Sequence, residues 1–238
     1  VILWLLVAGL SVFVVLKGWR ETRRFDFVVA GALIGLTGGI GNAYMFRELG
    51  YMEAGIDRLI FSGIQYALIT IAGLYLADKI GLPTFWPKEG VPPRWAAALI
   101  GIAIGLAVGA FNLWGIRFIS EFPDHVYALQ EVTNYKWLVT VMSVQAGLTE
   151  EALFRLFLFP GIALAVREIA PRPKWLALVA GGLGSGILFG LPAAHNLGMG
   201  VVVGGLFAAA YSYLGILPLI MGHIVADLLT FYLLPGYW

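Results

Sequence analysis

Cysteine is absent from the 238 residues. Its absence excludes disulfides, thiol nucleophiles and thiolate metal sites, and leaves the redox compartment unmarked. Charge is also scarce. Asp, Glu, Lys and Arg together make up 12% of the chain, against roughly 25% in a soluble domain. The formal net charge of +1 points neither to nucleic acid nor to a strongly acidic partner. After Lys174 there is no Lys or Arg at all, and Asp227 is the one acid. No basic residue precedes or interrupts the apolar run 1–16 (VILWLLVAGLSVFVVL). A signal peptide carries a basic n-region, so this run is expected to be a first transmembrane helix.

What fills the chain is apolar. Hydrophobic residues make up 60% of it, and the mean hydropathy is +0.88. Apolar runs of about 20 residues recur, the length a helix needs to cross the hydrocarbon. In lipid every backbone N–H and C=O must be satisfied internally, so only helices or a closed barrel can span. The runs are too long and too uniform for barrel strands. The expected fold is all-α, one polytopic transmembrane bundle of about eight helices. These are placed near 1–17, 27–46, 58–78, 94–115, 137–166, 174–194, 197–213 and 216–235. The fifth is about 30 residues long, either one tilted helix or two broken near Gly147. Thr149 before Glu150 and Glu151 has the pattern of a cap for a new helix start.

Basic residues sort to alternate loops. Segments 17–26, 78–94 and 167–174 hold ten, and the intervening loops hold four: Arg47, Arg58, Arg117 and Lys136. The positive-inside bias puts the three rich segments in the cytoplasm. An integral protein of a prokaryotic plasma membrane is expected. The connector 79–94 (KIGLPTFWPKEGVPPR), with four prolines, is expected to be rigid and non-helical. Segment 116–136, with Glu121, Asp124, His125 and Glu131, is expected to be a solvated external loop with a short interfacial helix. No internal repeat or low-complexity tract is present.

Fourteen of the fifteen basic residues lie at span ends or in loops; Arg155 lies inside a span, in LTEEALFR (148–155). A charge at mid-bilayer costs about 2.5–3.5 kcal/mol on insertion scales. Three charges there must face the bundle interior and pair. Glu151 and Arg155 are i and i+4 with the acid first, the favourable order. They read as an ion pair, either an interhelical clamp or a brace for a site. Glu150 lies about 140° round the helix from Arg155, which leaves it the free carboxylate and a candidate general base or acid. A second polar point is FGLPAAHNLG (189–198), where His195 follows Pro192 at a helix end or kink. A third is MGHIVADLL (221–229), where His223 and Asp227 are i and i+4 on one face. That pair reads as helix glue, or as an imidazole oriented by a carboxylate. Together they supply a Glu, two His and an Asp, the set needed to activate water against a carbonyl. Either the Glu is the base and His stabilises the oxyanion, or His residues hold a metal.

These residues resemble the CAAX-protease and bacteriocin-processing family of intramembrane proteases, which includes the type II CAAX prenyl endopeptidases. That family is marked by Glu-Glu-x-x-x-Arg, Phe-x-x-x-His and His-x-x-x-Asn/Asp on separate helices. The first motif is complete as Glu150, Glu151 and Arg155, and the third as His223 and Asp227. The second departs. Leu191 stands four residues before His195, and Phe189 stands six before it, so either Leu191 replaces the Phe or two residues are inserted. The resemblance covers roughly 135–235, a catalytic core preceded by N-terminal transmembrane helices in 1–134. It implies a membrane-embedded endopeptidase acting on a membrane-associated peptide or protein. Glu150 would activate water with His195, His223 and Asp227 would stabilise the oxyanion, and Glu151 with Arg155 would brace the site. Zinc on Glu150, His195 and His223 is compatible with the motifs, and so is a metal-free glutamate mechanism, the expectation preferred. Two other classes stand beside it. One is a non-catalytic subunit of a membrane complex. The other is a transporter relaying protons through Glu150, His195 and Asp227, against which the missing repeat counts. His195 can meet Glu150 only if the fifth helix breaks near Gly147, or if the sixth is displaced or kinked at Pro192.

Overall fold

The computed structural model describes residues 2–48, 56–88, 92–116, 136–169, 173–191 and 197–233. Every expected span is helical there. Helix α1 is Ile2–Lys17, the one-turn α2 is Trp19–Thr22, and α3 is Phe25–Glu48. Helix α4 is Ile56–Lys79 and α5 is Arg94–Ile116. The fifth span runs through α6 (Lys136–Glu150), a π-helical stretch (Glu151–Leu158) and α7 (Phe159–Ile169). Then follow α8 (Lys174–Gly190), α9 (Leu197–Leu214) and α10 (Ile216–Leu233). No strand occurs among the described residues. Among the described residues four helices, α3, α4, α5 and α10, are long and apolar enough to cross a membrane by length and composition. Large apolar side chains such as Leu5, Phe13, Leu33, Leu36, Trp95 and Val202 point outward, as a lipid-facing surface requires.

Of the two alternatives for the fifth span the unbroken one is found, and the cap expected at Thr149 is corrected. The span does not break at Gly147, because α6 continues through that residue to Glu150 and into the π stretch. Nor does Thr149 cap a new helix. Its hydroxyl donates back to the Gln145 carbonyl at 2.8 Å, the i−4 bond typical of Thr inside a helix. Gly147 serves packing instead. A Cβ there would lie 2.6 Å from Ile224 Cγ1 and 3.3 Å from the Ile220 carbonyl, so its absence lets α10 lie close against α6.

The other side of α10 is held the same way. Gly101, Gly105 and Gly109 of α5 lie against the carbonyls of Pro218, Gly222 and Ala226. Small residues every fourth position let two helices meet backbone to backbone, which drives association where lipid removes the hydrophobic effect. Helix α10, which carries His223, is thus clamped between α5 and α6.

The connector after α4 is non-helical, as its prolines predict, and it has a second use. The Thr84 and Phe85 carbonyls accept from the Ile216 and Leu217 N–H groups at 3.0 and 3.1 Å. They satisfy donors that the first turn of α10 would otherwise leave bare. Gly215 makes this contact feasible. Its φ is +81°, and a Cβ would lie 2.8 Å from the Phe85 carbonyl, so both conformation and space require glycine. The expected external loop at 116–136 lies outside the described residues, apart from the ends of α5 and α6.

Candidate active site

Two consecutive glutamates grip one imidazole. Glu151 opens the π stretch and is fully buried. Its Oε1 lies 2.7 Å from His223 Nδ1. Glu150 Oε2 lies 3.7 Å from His223 Nε2, on the other side of the ring. Asp227 Oδ2, one turn further along α10, is also 3.7 Å from Nε2. The 2.7 Å contact is a charge-assisted hydrogen bond. The two at 3.7 Å are longer than direct hydrogen bonds. A carboxylate on Nδ1 fixes the proton there, so Nε2 is the nitrogen that faces the two remaining acids.

Arg155 Nη1 lies 3.3 Å from the same Glu151 Oε1. Glu151 therefore has two partners, where spacing alone predicted one. Among the described residues no nitrogen of Arg155 makes an aligned hydrogen bond. Its guanidinium is instead surrounded by rings, with centroids 4.4 Å away at Phe189, 5.2 Å at Phe207 and 5.9 Å at Phe154. Cation–π attraction is strongest when the cation is desolvated, about 2 kcal/mol or more. Arg155 is only 1% exposed, so one carboxylate and three aromatic rings share the neutralisation.

Local chain geometry places these groups. A π turn bonds i to i+5 and is common at functional sites. Here it begins at Glu151, between the two glutamates. Helix α8 ends at Gly190, so Phe189 sits in its last turn, level with the site. Phe189 is buried and meets the rings of Phe154 edge-on at 5.2 Å and His223 at 6.4 Å. Leu191 is 59% exposed. Of the two candidates for the motif aromatic, Phe189 is the one in the site. His195 lies outside the described residues, as does Pro192.

Among the described residues no group of three His, Asp or Glu side chains is arranged to hold a metal ion. The zinc set expected from sequence, Glu150, His195 and His223, includes His195, which lies outside the described residues. Sequence reasoning missed the aromatic cage of Phe154 and Phe207. Both are apolar residues in apolar helices, and nothing in their spacing marks them. It also missed a polar group beside Glu150. Gln145 Nε2 donates to Asn42 Oδ1 at 3.1 Å and to Thr149 Oγ1 at 3.4 Å, and the Tyr66 hydroxyl faces Asn42 and Thr149.

Residues 132–229 match the family model described as type II CAAX prenyl endopeptidase Rce1-like. That range contains Glu150, Glu151, Arg155, His195, His223 and Asp227. No curated protein and no solved structure matches the chain. The chain is an integral membrane protein by its helices, and the family its three motifs resemble is the one matched: over residues 132–229 it is similar to the Rce1-like type II CAAX prenyl endopeptidases, a CAAX-type membrane protease family.

Proposed function

We propose that this protein is a membrane-embedded endopeptidase in which Glu150 activates the attacking water. The observation that carries the reading is the placement of Glu150 and Asp227 at 3.7 Å from one imidazole nitrogen of His223. Glu150 is also the glutamate with access, since its side chain is 32% exposed while that of Glu151 is 0%. A base must be reachable by the proton it takes.

In the proposed reaction Glu150, assisted by His195, removes a proton from water as its oxygen bonds to the peptide carbonyl carbon. The C=O electron pair moves to the oxygen. His223 donates from Nε2 to that oxyanion as the imidazolium, and Asp227 stabilises it as the neutral acid, its carboxyl O–H donating. When the intermediate collapses, the C–N bond breaks. The proton held by Glu150 passes to the leaving amine, and the products are a carboxylate and an amine. Glu151 orients the imidazole from its far side, and Arg155 offsets the charge of Glu151. The substrate is a membrane-associated peptide or protein, prenylated or not, in a prokaryotic plasma membrane.

The test compares purified wild type with Glu150→Ala against a library of membrane-associated peptides, half of them prenylated. Cleavage by wild type alone supports the reading. Equal cleavage by Glu150→Ala removes Glu150 from the mechanism. No cleavage by either, with stable co-purification of a membrane partner, favours the non-catalytic subunit.

A further inference from the structure

Helix α9 carries no motif residue, yet one of its side chains reaches both ends of the charged chain Arg155–Glu151–His223. The Phe207 ring is buried. Its centroid lies 5.2 Å from the Arg155 guanidinium and 5.8 Å from the His223 ring, with the two rings inclined at 73°. Phe189 makes the matching contacts from α8, at 4.4 and 6.4 Å. One turn beyond Phe207, on the same face of α9, Tyr211 meets Phe159 edge-on at 5.9 Å. Two successive rings thus dock α9 along the fifth span.

Glycines fix α9 against α8. Gly200 lies backbone to backbone against Gly190, and a Cβ at Gly204 would lie 2.7 Å from the Gly186 Cα. Small residues at these levels let the two helices pack as one hairpin. The Phe189 and Phe207 rings therefore reach the site as a unit. The segment 191–196 that joins the two helices carries His195.

We propose that Phe207 is a positioning residue for the His223 imidazole, a role whose catalytic purpose rests on the hydrolase reading. Glu151 holds Nδ1 of that ring at 2.7 Å, and Arg155 offsets Glu151 from 3.3 Å. Among the described residues no aligned hydrogen bond fixes Arg155. Its guanidinium is kept in place by charge and ring faces, which direct it less sharply than hydrogen bonds do. Phe207 supplies the missing restraint, because neither the guanidinium nor the imidazole can turn towards α9 without meeting its ring. Without that ring Arg155 and His223 can reorient together, and Nε2 leaves its line to the oxyanion. Phe189 is the aromatic of the second motif; Phe207 belongs to none.

The test replaces Phe207 by leucine and, through nonsense suppression, by pentafluorophenylalanine. The second keeps the ring's shape and reverses the charge of its face. Phe159 is also buried, and its ring meets Tyr211, so it receives the same replacements as a control. The first readout is the imidazole 15N spectrum of histidine-labelled protein, with the His223 signals assigned by their loss in His223→Gln. Both Phe207 variants are expected to move those signals beyond the linewidth, and both Phe159 variants to leave them in place. The second readout is peptide cleavage. With Phe207 replaced, kcat is expected to fall about 10- to 100-fold, between the loss of one buried cation–π contact and a misplacement of about 1 Å, while KM stays within about twofold. Where leucine unfolds the bundle, the isosteric replacement decides alone. His223 signals unmoved by the Phe207 variants, or moved equally by those of Phe159, overturn the role. An equal fall in kcat from both positions does the same. The spectrum needs no turnover, so the two readings fail separately. Moved signals in a protein that cleaves nothing keep Phe207 as the residue that places His223 and sink the protease. An active enzyme with unmoved signals does the reverse.

Discussion

Glu150 and Glu151 are adjacent and chemically identical, yet replacing each by glutamine should do opposite things. Glu151→Gln keeps the shape and removes the charge. It loses the 2.7 Å charge-assisted bond to His223, worth about 1.5–3 kcal/mol. It also strips Arg155 of the carboxylate 3.3 Å away; breaking a buried pair by removing one partner costs about 3–5 kcal/mol. The two terms overlap, so the expected loss is about 3–5 kcal/mol in total. For a chain of this size each kcal/mol shifts Tm by about 2–4 °C, so the fall is roughly 6–20 °C. Glu150→Gln removes no hydrogen bond recorded among the described residues, and the side chain is a third exposed. Its effect on stability should stay within about 0.5 kcal/mol. Its effect on turnover should be a loss of about 100-fold or more, the contribution of a general base. Thermal unfolding in detergent and a peptide-cleavage assay on both variants read the two quantities. Equal Tm shifts, or a larger shift for Glu150→Gln, would refute the division of labour.

Other expectations follow from particular contacts. Gly147→Val inserts methyls where a Cβ already lies 2.6 Å from Ile224. Overpacking there should cost about 1–3 kcal/mol, and displacing α10 should lower kcat, with Gly147→Ala milder in both assays. Phe189→Leu removes the ring 4.4 Å from Arg155 and should lower stability by about 0.5–2 kcal/mol, read as a fall in Tm. Leu191→Ala should stay within about 0.5 kcal/mol of wild type in the same melt. If the metal-free mechanism operates, exhaustive dialysis against a chelator leaves cleavage unchanged. Activity lost on dialysis and restored by zinc would favour the zinc set of Glu150, His195 and His223.

The spans were legible because each is a long apolar run with basic residues clustered at alternate ends. The Glu151–Arg155 pair was legible because i,i+4 neighbours meet on any helix. The Glu151–His223 bond was not. It joins residues 72 apart and depends on Gly147, Gly105 and Gly222 letting three backbones approach. A glycine in an apolar helix does not announce which helix it faces. The π stretch left no mark in LTEEALFRLFLFP either, since α and π turns accept the same residues. Phe189 shows the limit of motif spacing. Counting back four from His195 lands on Leu191, which points outward, while the ring that meets Arg155 and His223 belongs to Phe189. Asn42 and Tyr66 were passed over as parts of ordinary spans, because a single polar residue in a helix gains meaning only from the partner opposite.

In the proposed reaction, water activated at Glu150 cleaves a peptide bond within this bundle. Cleavage of a membrane-associated peptide by the reconstituted protein in H2-18O, followed by mass spectrometry of the new C-terminus, measures it directly. One solvent oxygen is expected in the new carboxylate with wild type, with at least a 100-fold lower yield from Glu150→Gln. A product formed without solvent oxygen, or at the wild-type rate by Glu150→Gln, would contradict it.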